Sequence, residues 1–148
     1  MPEFTQTLQG GGFRIESLSR AEAARNFTAW CQAFLGDVLT ATGTYRYRGF
    51  HWHAFSYEFT RAQSGKAALE VYRALEAQPV LVIPEDWRHS CGVRCLGPGL
   101  PDLLEAGDDL YVFPESLDWS MAFTHEYPWC GPYFVRREAR TGGAELRP

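Results

Sequence analysis

The stretch Pro79-Val80-Leu81-Val82-Ile83-Pro84 is apolar at every position and bounded by prolines. An alternating pattern would mark a strand with one wet face. An unbroken apolar run of this length marks a strand covered on both faces, which places residues 79–84 at the centre of a sheet. Upstream, Ser64-Gly65 is positioned to open a helix on which Ala68, Val71, Tyr72 and Leu75 form one apolar face. Downstream, Cys91 to Leu96 reads as a further strand, broken by Gly97-Pro98-Gly99, and Pro101 to Ala106 as one helical turn. Leu110–Phe113, Trp119–His125 and Pro132–Arg136 are strand-like runs separated by short loops, the arrangement of an antiparallel meander.

Nearer the start, Ser19 and Glu22 have the spacing of a capping box. Ala24, Phe27, Cys31, Phe34 and Leu35 then recur at helical spacing, which predicts a helix over 20–35. Residues 44–59 are rich in aromatic and β-favouring side chains around Gly49, and read as two short strands or one bent strand. Residues 1–13, with polar Thr-Gln repeats and Gly10-Gly11-Gly12, read as a flexible arm, and 141–148 as a flexible tail. Between them, 14–140 is expected to form a single α+β domain. Its sheet is expected to be mixed or mainly antiparallel, of about five to six strands, with two helices packed on one face.

The totals narrow the function classes. A chain of 148 residues with 45% hydrophobic and 22% charged residues is built to bury one core, and 15% aromatic content is high. The formal charge is −4 and the basic residues are scattered, whereas phosphate binding needs a basic stripe; no nucleic-acid partner is expected. Neither a membrane-crossing apolar run nor a secretion signal is present, so a cytoplasmic protein without membrane contact is expected. Cys31, Cys91, Cys95 and Cys130 fit neither a zinc-knuckle spacing nor a disulfide scaffold and are expected to be free thiols.

Several residue groups have the types that chemistry uses. If the run from Trp119 continues as a strand, Trp119, Met121, Phe123 and His125 share a core face, and His125 extends that face to its end. His125 and Glu126 are the candidate acid and base of an enzyme, with no nucleophile or electrostatic stabiliser beside them in sequence. On a strand, the imidazoles of His51 and His53 would lie about 7 Å apart on one face. With His125 or His89 they are the candidate metal ligands, although the spacing carries no diagnostic third ligand and no cofactor is expected. Ser90-Cys91 lacks the strand-to-helix elbow of a nucleophile, and the glycine triplet lacks the Lys-Ser/Thr ending of a phosphate loop. Tyr127, Pro128 and Trp129 fall in a loop, where aromatic rings either anchor a partner or fold back over the core. Tyr127, Trp129 and Tyr133 are therefore the candidate partner contacts.

Two stretches together carry a resemblance. Trp52-His53-Ala54-Phe55-Ser56-Tyr57-Glu58 resembles a W-H-x-F-S-Y segment. Trp119 through Thr124-His125-Glu126, followed by Gly131-Pro132-Tyr133-Phe134, is similar to a W-x-x-x-x-T-H-E motif with a following G-P-Y-F. Both belong to the family catalogued as domain of unknown function 4275, and the resemblance spans about residues 45 to 135. The matching positions include Trp52, His53, Ser56, Trp119, His125, Glu126, Gly131 and Tyr133. Tyr127-Pro128-Trp129-Cys130 departs from the pattern as an insertion. The resemblance implies a bacterial, single-domain, intracellular protein and brings no activity with it. A packing account of the motif is available: His125 would bond a backbone group freed at the Gly131-Pro132 turn, where an unsatisfied buried partner costs roughly 1–3 kcal/mol.

The function expected from these features is non-enzymatic protein binding, of an immunity- or antitoxin-like kind, through an acidic surface rimmed by aromatics. The alternatives are a small hydrolase or metal-dependent enzyme using the His/Glu cluster, and a homodimer assembled through the aromatic loop.

Overall fold

The computed structural model describes residues 3–36, 50–57 and 60–137. In chain order the elements are α1 (Glu3–Gly10), β1 (Arg14–Ser17), α2 (Arg20–Phe34), α3 (His53–Ser56), β2 (Gln63–Ser64), α4 (Gly65–Arg73), β3 (Val80–Pro84), β4 (Val93–Leu96), β5 (Leu110–Phe113), β6 (Trp119–Phe123) and β7 (Tyr133–Arg136). The strands form a seven-stranded sheet in the order β1-β4-β3-β5-β6-β7-β2, with every described pair antiparallel. The architecture is α+β, with more strands and helices than the sequence suggested.

The apolar run of residues 79–84 accounts for the layering. All five β3 residues are buried. Leu81 and Ile83 face one core with Phe27, Trp30 and Phe34 of α2, Trp52, and Phe55 of α3. Val80 and Val82 face a second core with Phe4 and Leu8 of α1 and Ala68 and Tyr72 of α4. Helices therefore cover both faces of the sheet, which corrects the expectation of two helices on one face. The same alternation runs along β6, where Trp119, Met121 and Phe123 join the second core and Ala122 the first. Ser120, also fully buried, accepts a hydrogen bond from the Trp30 indole at 2.8 Å, so its hydroxyl is satisfied inside the first core.

Two further expectations are corrected. Residues 3–10 are not part of a flexible arm: Phe4 and Leu8, one turn apart, are both buried and dock α1 on the sheet. Phe13 then packs so closely on Gly97 that a Cβ there would lie 2.4 Å from its ring. The segment carrying His51 and His53 is a turn running into α3 rather than a strand, because Trp52, Ala54 and Phe55 are buried at helical and not alternating spacing. Residues 44–49, 58 and 59 of that expected strand lie outside the described residues, as does the tail 141–148. Residues 101–106 form no regular helix but a single turn, closed by the Ala106 N–H to the Leu103 carbonyl at 3.1 Å; Leu103 is buried, and the Asp102 carboxylate takes the Leu104 N–H at 3.2 Å.

α2 forms with the predicted cap, but its buried face is Ala23, Phe27, Trp30 and Phe34, with Ala24 and Cys31 only partly buried. The Ser19 hydroxyl accepts the Glu22 N–H at 3.0 Å and Glu22 accepts the Ser19 N–H at 2.9 Å, completing the capping box. The β5, β6 and β7 meander also forms, but β6 stops at Phe123, which lengthens its link to β7 to residues 124–132. Antiparallel pairing brings the end of β3, the start of β5, the end of β6 and the start of β7 to one end of the sheet.

Candidate functional site

That end of the sheet collects two carboxylates from neighbouring strands. Glu85 directly follows β3 and Asp109 directly precedes β5, and the Glu85 N–H bonds the Asp109 carbonyl at 2.9 Å. Each carboxylate organises one imidazole. Glu85 accepts the His51 N–H at 3.0 Å, meets His51 Nδ1 at 2.6 Å, and accepts the Tyr111 hydroxyl proton at 2.5 Å. Tyr111 in turn accepts the Trp52 N–H at 3.0 Å. Burial acts to raise the Glu85 pKa, but the bond and charge of His51 and the Tyr111 hydroxyl outweigh it and hold the carboxyl below its ordinary value.

Asp109 accepts the Trp52 indole N–H at 2.8 Å and the His125 N–H at 3.0 Å, and both its oxygens lie 2.9 Å from His125 Nδ1. The bond to Asp109 raises the His125 pKa, burial opposes it, and the charges of Asp109 and Glu126 add to the rise. The outer nitrogen, Nε2, faces the Glu126 carboxylate at 3.4 Å. The His125 ring also meets Phe50 edge-on at 4.9 Å.

The strand-face placement of His51, His53 and His125 is thereby corrected. His125 lies past the end of β6, its side chain 37% exposed, so it does not continue the core face. It bonds a carboxylate rather than a backbone group freed at the Gly131-Pro132 turn. His51 pairs with Glu85, His53 with the Ser56 hydroxyl at 3.0 Å, and His89 with Asp86 at 2.8 Å. Among the described residues no three His, Cys, Asp or Glu side chains are grouped to hold a metal ion. Of the family-motif residues, Trp52 and Trp119 are core, and Ser56 fixes His53.

The 124–132 loop holds itself in shape. The Thr124 hydroxyl donates to the Cys130 carbonyl, which closes the loop across its base. Inside that closure the Glu126 carbonyl accepts N–H groups from Trp129 at 2.7 Å and Cys130 at 3.0 Å. The Tyr127-Pro128 and Gly131-Pro132 peptide bonds are cis. Gly131 has φ +86°, and a Cβ there would lie 2.9 Å from Thr124 Cγ2, so both conformation and space call for glycine.

The loop projects Trp129, 84% exposed, and Tyr127, 38% exposed. Of the two uses of these rings left open by the sequence, the lid over the core does not apply to Trp129. Tyr133, a candidate partner contact, is instead a core residue only 6% exposed and stacked on Trp52 at 5.9 Å. Trp129 stands between two hollows. A cavity of about 500 Å³ is lined by Phe55, Arg61, Ser64, Pro128 and Tyr133, among others. A shallower one of about 330 Å³ is lined by His125, Glu126, Tyr127 and Trp129. Cys130, within the loop, has its thiol pKa raised by burial and by Glu126.

The sequence pointed to His125, Glu126, Tyr127 and Trp129 but not to Glu85, Asp109 or Tyr111. The available signal was a carboxylate at each end of adjoining apolar runs, Ile83-Pro84-Glu85 and Asp109-Leu110-Tyr111. The family described as Domain of unknown function (DUF4275) matches residues 25–134, a span from within α2 into β7. No curated protein and no solved structure matches the chain.

Proposed function

We propose, for a chain that belongs to the DUF4275 family, a non-enzymatic role in protein binding, with the 124–132 loop as the contact surface. The observation that carries this reading is Trp129, 84% exposed on a loop whose backbone is tied by its own hydrogen bonds. An indole held in water forgoes the burial that aromatic side chains gain elsewhere in this chain, and a loop already fixed loses little entropy when a partner covers it. In its finer form the role is that of a bacterial immunity- or antitoxin-like protein, which the small size and net charge of −4 support.

The His125–Asp109 pair favours a second reading, a small hydrolase, because a carboxylate-oriented imidazole is the form a general base takes. Against it, Nε2 faces the Glu126 carboxylate, an acceptor where a nucleophile would have to stand.

The binding role is tested by affinity capture with the full chain and with Trp129→Ala, followed by direct measurement with the recombinant captured protein. Trp129→Ala is expected to weaken that interaction by about 2 kcal/mol, roughly 30-fold. Its unfolding free energy is expected to change by less than about 0.5 kcal/mol. A partner held equally well by the variant would refute the role of the loop.

A further inference from the structure

The shallower cavity beside Trp129 has a defined chemistry. Its described lining is one carboxylate, Glu126, two aromatic rings, Tyr127 and Trp129, and the imidazole of His125. Glu126 is 43% exposed in its side chain; its ion-pair partner among the described residues is His125 Nε2, at 3.4 Å, beyond the usual hydrogen-bond range, and no Lys or Arg among them pairs with it. The Nδ1 of His125 is turned to Asp109, so the imidazole is anchored from behind. A carboxylate at the rim of an exposed indole favours a cation, because the ring face and the carboxylate both present negative potential. The planar guanidinium satisfies both at once, stacking on the indole while its N–H fork meets the carboxylate; an ammonium ion offers a point charge without the stacking plane.

We infer that this cavity receives an arginine side chain of the protein partner, stacked on Trp129 and paired with Glu126. The inference rests on the loop being the partner surface and adds the chemistry it selects. The chain's net negative charge acts in the same direction, favouring approach of a basic partner surface.

The probe is the peptide acetyl-Gly-Arg-Gly-amide, titrated into the ¹⁵N-labelled full chain, with the Trp129 indole N–H signal assigned by its loss in Trp129→Phe. The arginine peptide is expected to shift that signal and the backbone amides of residues 125–127 saturably, with a dissociation constant on the order of millimolar. Glu126→Gln is expected to weaken the response at least about threefold, the scale of a single exposed charge contact. Glu105→Gln, exposed in a separate hollow lined by Thr7 and Arg73, is expected to leave it unchanged. The inference is overturned by any of three results: no saturable shift, an equal response to the corresponding lysine or glutamate peptide, or a Glu126→Gln variant that binds as tightly. If partner capture still depends on Trp129 while the arginine peptide leaves its signal unmoved, this inference alone falls. If capture is indifferent to Trp129, the binding role of the loop falls with it.

Discussion

Glu85 and His125, each hydrogen-bonded to Asp109, carry opposite pKa displacements, and each has a consequence for stability. A carboxyl with a pKa lowered by folding stabilises the fold above its ordinary value, 4.5 for Glu85, and that contribution disappears as pH falls through the lowered value. Urea unfolding of the wild type is therefore expected to lose stability steeply below pH 4.5, with a flatter acid limb in Glu85→Gln. An imidazole with a raised pKa behaves the other way. His125 stabilises fully below its ordinary 6.5, and the contribution is lost as pH rises through the raised value. His125→Gln is expected to flatten the alkaline side of that window; a profile unchanged by the substitution would mean that the Asp109 pairing does not contribute. The imidazoles were legible in the sequence because His is rare. Their partners were not, since Glu85 lies 34 residues from His51 and Asp109 lies 16 from His125, and only strand pairing brings them together.

At the scale of elements, legibility followed the density of local signal. α2 could be read because a capping box precedes apolar residues at helical spacing, although the face actually buried adds Ala23 and Trp30, and β3 because no polar residue interrupts it. α1 was hidden: its polar composition and the glycines after it outweigh two apolar positions, yet those two, Phe4 and Leu8, are what dock it. Leu8→Ala is expected to cost about 2–5 kcal/mol in chemical unfolding, the range for a truncated buried leucine. A change near zero would return residues 3–10 to the status of an undocked arm. α3 was misread as a strand because aromatic side chains raise strand propensity, whereas burial at Trp52, Ala54 and Phe55 follows a helical turn. The length of the 124–132 loop was likewise lost to an alternation pattern that runs on in sequence after the strand has ended at Phe123.

For the molecule as a whole, helices on both faces of the sheet leave one end of it to gather loops, and the carboxylate–imidazole pairs and the aromatic loop meet there. The buried alternation of β3 and β6 explains why that end can be rigid. Both faces behind it are packed, and Thr124, Glu126 and Gly131 fix the loop in front. Exposure of Trp129 at this position is the observation that supports the proposed binding role over a packing one. The most direct measurement is photo-crosslinking in living cells with a benzophenone side chain placed at Tyr127, compared with the same group at exposed Glu105 on the loop between β4 and β5. A discrete crosslinked protein at position 127 alone, lost when Trp129→Ala is added, is the expected result. Identical products from both positions, a product that survives Trp129→Ala, or crosslinking only to a second copy of this chain would contradict a partner-binding loop.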